Sequence, residues 1–249
     1  MALAQRHLIR VLAALLPLAA VFSRAQTLDA PEPPPPQFRV VSMSQVETFF
    51  FDVGKKKEQL NACVGSLSRL YPAPKNREVV FYAEVPNADP KLPPVKVPLS
   101  KAVLPAHNPG PFLIILRKNP AGSELKFSTL VIDNSLESYP ANTYRVFNFS
   151  KRRLAVRLAD KNLVLASGQS QEVPYPATRK AWLQVAADEN EAGWLLVSSS
   201  PQPVGANSRT TVFLVDIATS ELDQKPKGII ARRMRETIIT DDKGVQHVQ

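Results

Sequence analysis

Short stretches of alternating apolar and polar residues recur along most of the chain. In the segment from Glu78 to Val85, Val79 and Phe81 lie on one side of an extended backbone, and Val80 and Tyr82 on the other. A period of two predicts β-strands that bury one face. About a dozen segments have this character, and they begin at Phe38, Glu47, Gln59, Glu78, Pro94, Phe112, Leu125, Tyr144, Asn162, Gln171, Lys180, Gly193 and Thr210.

The spacing of these segments predicts the fold class. No segment before residue 218 has a helical period, and the segment at Phe112 is apolar on both faces, as a central strand would be. We therefore expect an all-β protein made of two consecutive Ig-like β-sandwich units with a basic C-terminal extension. The turn at Asn119 to Glu124 predicts the boundary between unit 1, residues 38–118, and unit 2, residues 125–217.

An internal duplication is one interpretation of the two units. Three pairs of segments are similar, and they begin at Phe51 and Phe147, at Val79 and Ala181, and at Phe112 and Thr211. Alternation alone makes any two strands look alike, so the sequence leaves duplication and chance both open.

A basic cluster interrupts the alternation between Tyr144 and Leu158. The pattern predicts two strands, Tyr144 to Ser150 and Leu154 to Leu158, joined as a hairpin by the turn at Lys151 to Arg153. Positive charge at such a turn keeps it in water and blocks association of strand edges. A similar cluster at Lys55 to Lys57 favours a structural turn over a binding site.

The first 25 residues have the pattern of a secretory signal peptide. Arg6 and Arg10 precede an uncharged apolar run from Val11 to Phe22, and small residues end at Ala25. The run is too short to span a bilayer, which needs about 20 residues. The sequence therefore predicts export to the periplasm, the cell envelope or the medium of a bacterium, and no transmembrane segment in the mature chain.

Proline-rich residues follow the predicted cleavage site. Residues 26–37 include four consecutive prolines, Pro33 to Pro36, which favour an extended polyproline II segment. A spacer between the export site and the fold is the favoured interpretation, and a ligand for a proline-binding domain is the alternative.

The basic residues are the main candidates for binding an anion. The chain has a net charge of +9, and residues 218–249 form a predicted basic tail that gathers Arg232, Arg233 and Arg235. Its apolar residues fit a helical face or an edge strand equally well. Export removes nucleic acid as a partner and leaves an unknown envelope protein or polymer as the expected one.

Candidate catalytic chemistry is sparse. The sequence has no nucleophile elbow, phosphate-binding loop or zinc-protease motif, and it predicts no cofactor and no metal. The single cysteine, Cys63, would need His107 as a partner to act as a nucleophile. Asp52, Asp133 and Asp216 each lie near a predicted strand end, where acids are common. We therefore expect that the protein is not an enzyme.

Aromatic residues suggest a second class of function. Trp182 alternates with Ala181, Leu183 and Val185, so it faces away from them. An exposed Trp182, with Tyr175 nearby, would offer a stacking surface for a glycan. Packing of Trp182 between the two units is the favoured alternative, and burial is also expected for Trp194.

Strand and turn motifs in the second half resemble a group of uncharacterised exported proteins of Verrucomicrobia-type bacteria. The likeness rests on the "YPANTYRVFNFS" stretch from Tyr139, the "GWLLVSSS" segment from Gly193 and the "TTVFLVD" strand that ends at Asp216. Asn142 stands where the group often has glycine, and Ser167 where it has proline before Gly168. The resemblance implies an exported β-rich fold and transfers no functional residues.

Together these patterns predict an exported, non-catalytic envelope or periplasmic protein that acts as a binding or structural module. A glycan-binding module is the alternative, and a hydrolase is the third candidate.

Overall fold

A computed structural model describes residues 35–178, 180–189, 193–217 and 228–249. The predicted signal peptide and most of the proline-rich segment lie outside the described residues, as does the start of the predicted tail. The described residues form strands and turns without any helix, which confirms the predicted all-β fold. The Ig-like assignment stays a prediction.

The described residues form 17 strands. The first eight are β1 (Gln37–Ser42), β2 (Glu47–Val53), β3 (Lys56–Ala62), β4 (Tyr71–Pro72), β5 (Glu78–Val85), β6 (Val95–Val103), β7 (Phe112–Lys118) and β8 (Phe127–Asp133). The other nine are β9 (Thr143–Asn148), β10 (Leu154–Leu158), β11 (Lys161–Leu165), β12 (Ser170–Pro174), β13 (Ala181–Asp188), β14 (Trp194–Gln202), β15 (Ser208–Asp216), β16 (Ile229–Thr240) and β17 (Gln246–Val248).

Two four-stranded sheets form the first sandwich. Sheet A has the order β4-β1-β7-β8 and sheet B the order β3-β2-β5-β6. Their inner faces share a core rich in aromatic rings, in which the centroids of Phe38 and Phe51 are 5.3 Å apart and those of Phe49 and Phe81 are 5.7 Å apart. Burial of each such side chain stabilises the fold by about 1.5–3 kcal/mol.

The second sandwich repeats this plan with an aliphatic core. Sheet C has the order β12-β9-β15-β16-β17 and sheet D the order β11-β10-β13-β14. Leu154, Leu158, Leu183, Val185 and Val212 are fully buried between the two sheets.

The strand orders of the two sandwiches are the same, except that sheet C has β17 as an additional edge strand. In each, the first strand pairs in parallel with the seventh: Phe38 lies opposite Phe112 in one, and Tyr144 opposite Thr210 in the other. This topology supports the duplication. It equates β5 with β13 and β7 with β15, as two of the three predicted similarities did.

The third predicted similarity was wrong, because it equated the end of β2 with the end of β9. The topology instead equates β1 with β9. The sequence contains a better signal of the repeat, since "FRVVSMS" from Phe38 matches "YRVFNFS" from Tyr144, and "YPAP" from Tyr71 matches "YPAT" from Tyr175.

The sandwiches meet through the outer faces of sheets A and C. A third apolar cluster joins them, with Leu113 and Ile115 from β7, Phe213 from β15 and Met234 from β16. Because β7 is covered on both faces, its first five residues, Phe112 to Leu116, can all be apolar, and the predicted central strand is confirmed. The sheets therefore stack in the order B, A, C, D.

The change from one sandwich to the other comes after β8. The turn at Asn119 to Glu124, which the sequence placed between the units, joins β7 to β8 within sheet A. The segment 134–142 makes the crossing instead, and Arg209 fixes it by donating hydrogen bonds to the carbonyl oxygens of Asn134 (2.8 Å) and Tyr139 (2.5 Å).

The predicted hairpin between Tyr144 and Leu158 was wrong. β9 belongs to sheet C and β10 to sheet D, so the turn between them crosses from one sheet to the other. Asp216 holds this turn in place by accepting hydrogen bonds from Ser150 Oγ (2.8 Å) and the backbone N–H of Lys151 (2.9 Å). The similar cluster at Lys55 to Lys57 does form a hairpin, between β2 and β3.

The predicted tail also differs from the structure where it is described. Residues 229–240 form β16, which pairs with β15 along nine residues of sheet C. Met234 and Ile238 are buried at alternate positions, as in a strand, so of the two alternatives the helical face was wrong.

Candidate binding face on sheet D

Sheet D is the outermost layer of the second sandwich, and its strands alternate inward and outward side chains. On β13, Leu183 and Val185 are fully buried, whereas Trp182, between Ala181 and Leu183, faces solvent. Trp182 is 52% exposed, so the predicted packing of Trp182 between the units was wrong. The outer face of sheet D lies away from the first sandwich, which packs on sheet C.

We call the outward side chains of sheet D the open face. They are Ala155, Arg157, Asn162, Val164, Trp182, Gln184, Ala186, Leu196, Ser199 and Pro201. A single one of these ten side chains is charged, that of Arg157. Val164 and Leu196 are 57% and 58% exposed, so the open face presents large apolar groups to water.

The corresponding face of sheet B is covered by charged pairs. Lys57 lies 4.8 Å above the ring of Phe50 and pairs with Glu84 at 2.9 Å. Lys96 lies 4.5 Å above the ring of Tyr82 and pairs with Asp52 at 2.6 Å. Each lysine therefore shields an aromatic ring from water. On sheet D, Arg153 covers the ring of Trp194 in a similar way, whereas no cation lies over the ring of Trp182 among the described residues.

The ammonium of Lys96 also sets the protonation of the face on sheet B. Its hydrogen bond to Asp52 is the main cause of a lowered pKa for that carboxyl and of a raised pKa for Lys96 itself. Burial raises the pKa of the Tyr82 hydroxyl, which donates to Asp52 at 2.7 Å. A groove of about 810 Å³ lies beside these groups, with Val80 and Pro98 in its lining.

A hydrogen bond holds the indole of Trp182 in place on the open face. Its Nε1–H donates to Ser199 Oγ on the neighbouring strand β14, at 2.7 Å. The remaining aromatic surface faces solvent, which gives a rigid apolar platform with its one polar group already satisfied.

Two shallow concavities lie along the open face and share Arg157. One, of about 530 Å³, is lined by Trp182, Asp160, Pro176 and Lys180. The other, of about 340 Å³, is lined by Asn162, Val164, Gln184 and Leu196. The side chain of Arg157 makes no hydrogen bond or ion pair with another of the described residues.

Trp194 marks the far end of this face. It pairs with Asp188, six residues along β13 from Trp182, a separation of about 20 Å for extended backbone. Trp194 is 44% exposed, so its predicted burial was wrong, and the guanidinium of Arg153 lies 5.1 Å above its ring. The open face is therefore long enough for an extended ligand.

Tyr175 does not join Trp182 in one platform. Its ring packs against Tyr144, with centroids 4.4 Å apart, and its hydroxyl lies 2.6 Å from Thr210 Oγ1. Both contacts belong to the core side of the second sandwich. Pro176, the next residue, lines the concavity beside Trp182.

The three arginines of β16 do not form one anion-binding surface. Arg232 is partly buried and donates to the carbonyl oxygen of Met43 at 2.7 Å, in the contact between the sandwiches. Arg233 donates to the carbonyl oxygen of Pro201 at 3.2 Å, and Arg235 packs against Gly205. Contact of any of them with an anion stays a prediction.

The candidate catalytic residues have structural partners. Asp52 pairs with Lys96, Asp133 accepts a hydrogen bond from Asn108 (2.7 Å), and Asp216 holds the β9–β10 turn. No side-chain hydrogen bond joins Cys63 to His107 in the described part of the chain. There, too, no group of three or more histidine, cysteine or acidic side chains could hold a metal ion.

The sequence named Trp182 and missed Arg157. A signal was present, since Arg157 is an outward charged residue between Val156 and Leu158, which are inward and apolar. The sequence could not show that the Arg157 side chain has no acidic partner, because the neighbours of an arginine come from strands that are distant along the chain.

Comparisons with known proteins add no assignment. No protein-family model matches this chain, and no curated protein matches it either. No helix among the described residues is long and apolar enough to cross a membrane.

Proposed function

We propose that this protein is an exported, non-catalytic module of the cell envelope or periplasm, and that it binds another component through the open face of sheet D. Support for export comes from the signal-peptide pattern of residues 1–25. Support for binding comes from the open face itself.

The observation that matters most is the contrast between the two outer sheets. The strands occupy equivalent places in the repeat, yet the aromatic rings of sheet B lie beneath paired lysines and Trp182 of sheet D is bare. Contiguous exposed apolar surface on a folded protein commonly marks an interaction site. A face about 20 Å long, with exposed apolar side chains at Val164, Trp182 and Leu196, fits this role.

A glycan is the second candidate ligand class, and Trp182 favours it. Its ring is exposed beside the polar side chains of Arg157, Asp160 and Lys180, in a concavity of about 530 Å³. A hydrolase has less support, because the acids that it would use hold ion pairs and hydrogen bonds within the fold.

The proposal is tested by placing a charge on the open face. We expect the Leu196→Glu variant of the mature protein to lose most of its retention on the envelope fraction of the cells that produce it, because a carboxylate would have to be buried at the contact. Leu92→Glu is the matched control, since Leu92 is 55% exposed in a loop of the first sandwich. Circular dichroism checks that both variants fold.

Equal retention of the wild-type protein and a folded Leu196→Glu variant would contradict the proposal. Equal loss in both variants would do so too, because it would show a general effect of charge rather than a binding face.

A further inference from the structure

We propose that the ligand of the open face is an acidic polysaccharide, with Trp182 stacking on a sugar ring and Arg157 binding a sugar carboxylate. This inference rests on the proposed function and names the chemistry of its ligand.

Arg157 is an exposed cation without an acidic partner among the described residues. Three arginines near Arg157 in the chain have acidic partners: Arg145 pairs with Glu172 at 2.6 Å, Arg152 with Glu189 at 2.6 Å and Arg153 with Asp188 at 3.2 Å. Arg232 and Arg233 instead donate to backbone carbonyl oxygens. Arg157 is exposed, has no such partner among the described residues, and lies where the two concavities meet. A guanidinium presents a planar fork of N–H donors that matches a carboxylate.

The charged residues around Trp182 also favour an anionic ligand. Arg157 and Lys180 both line its concavity, and Asp160, the acid there, pairs with Lys161 at 3.1 Å. Lys180 has no acidic partner in the described residues. A neutral glycan would leave both cations without a counter-charge, whereas an anionic one would complement them.

Trp182 adds the contact that distinguishes a sugar from a simple anion. A pyranose ring has a face of C–H groups that packs on an indole, while its hydroxyls need hydrogen-bond partners. The amides of Asn162 and Gln184 line the second concavity and supply both donors and acceptors. The length of the face, about 20 Å between the positions of Trp182 and Trp194, favours a polymer over a monosaccharide.

Binding of three acidic polysaccharides tests the inference: polygalacturonate, alginate and hyaluronate, each titrated against the mature protein. We expect binding to at least one of them, and a loss of about tenfold or more when its carboxylates are converted to methyl esters. Added salt should weaken the interaction, since exposed charges contribute to it.

Variants assign the contacts. Trp182→Ala and Arg157→Gln should each weaken binding about tenfold or more, and Arg157→Lys should recover part of the loss because it restores the charge without the fork. Lys55→Gln is the matched control, because it removes one exposed positive charge from the β2–β3 turn and should bind as the wild-type protein does.

Binding to none of the three polymers would overturn the inference, as would equal binding to the acid and ester forms or an Arg157→Gln variant that binds like Lys55→Gln. The proposed function is tested separately, by the envelope retention of the Leu196→Glu variant. If Leu196→Glu abolishes envelope retention while no polysaccharide binds, the open face is a binding surface for a different partner, such as a protein.

Discussion

At the scale of single residues, the most unusual feature is a buried ion pair between the two sandwiches. Arg209 is fully buried, and its Nε–H donates to Glu236 at 3.0 Å. The guanidinium also lies 4.5 Å from the ring of Tyr139 in the crossing segment. Such a network orients its members strictly, because each buried charge needs its partner.

Loss of Arg209 should therefore destabilise the protein strongly. We expect Arg209→Met to lower the free energy of unfolding by about 3–5 kcal/mol, because Glu236 would remain buried without its main partner. Urea denaturation measures this change. The double variant Arg209→Met/Glu236→Leu should recover much of the loss, and a single variant as stable as the wild-type protein would contradict this role.

A second prediction at this scale concerns Asn142, which has a φ of 57° in the turn before β9. Asparagine and glycine tolerate this left-handed conformation, and β-branched residues do not. We expect Asn142→Gly to change the free energy of unfolding little, and Asn142→Val to lower it by about 1–2 kcal/mol. Thermal denaturation compares the two variants, and equal stability would contradict the backbone argument.

At the scale of strands and sheets, the two outer faces show how one topology was adapted in two ways. Sheet B ends in β6, an edge strand that contains Lys96, Pro98 and Lys101. Lysine and proline at an edge discourage pairing with other chains. β14, its equivalent in sheet D, contains no charged residue and begins with the exposed Trp194. The edge of sheet B is therefore protected from pairing with other chains, and the edge of sheet D is accessible, because of these few differences in residue type between β6 and β14.

The charged cover of sheet B should make its stability depend on pH. The folded state lowers the pKa of Asp52, chiefly through the hydrogen bond from Lys96, so the unfolded state binds more protons in acid. The stabilisation is present above the unfolded pKa of about 3.9 and is lost as pH falls through the lower folded value.

Asp52→Asn should remove this part of the acid sensitivity. The free energy of unfolding of the wild-type protein should fall more steeply than that of Asp52→Asn as the pH drops from 5 towards 2, as measured by urea denaturation at each pH. Asp89→Asn, which changes an exposed loop carboxyl, is the control. The same slope for Asp52→Asn and the wild-type protein would exclude this contribution.

The sequence predicts those structural features that are determined by residues close together along the chain, and not those that depend on distant residues. The central position of β7 was predicted, because an uninterrupted apolar run reports burial on both faces directly. The β9–β10 turn was predicted wrongly, because Asp216, which holds it, lies 66 residues away from Ser150. Exposure of Trp182 was one of two alternatives and the less favoured one, because alternation shows that a side chain faces away from the core but not whether another sheet covers that face.

At the scale of the whole molecule, the described residues from 35 onward form one compact unit. Phe147, Phe149 and Phe213 stack in the contact between sheets A and C, with centroids 5.3–5.6 Å apart. Because the crossing segment, Glu236 and this cluster all lie between the sandwiches, neither sandwich can unfold without exposing parts of the other.

Unfolding should accordingly be cooperative. Both tryptophans, Trp182 and Trp194, lie in the second sandwich, whereas far-ultraviolet circular dichroism reports strands of both sandwiches. We expect the two signals to follow the same urea transition. A circular dichroism curve with a second transition that is absent from tryptophan fluorescence would show that the sandwiches unfold independently.

Because sheets A and C pack against each other, sheets B and D are the two outer layers of the stack, and the open face of sheet D has the bare aromatic ring of Trp182. Hydroxyl-radical footprinting of the mature protein, with and without the envelope fraction, tests this role most directly. We expect oxidation of Trp182 to fall sharply on binding, while that of His107, an exposed residue of the first sandwich, does not change. Undiminished oxidation of Trp182 in the bound protein would contradict this role.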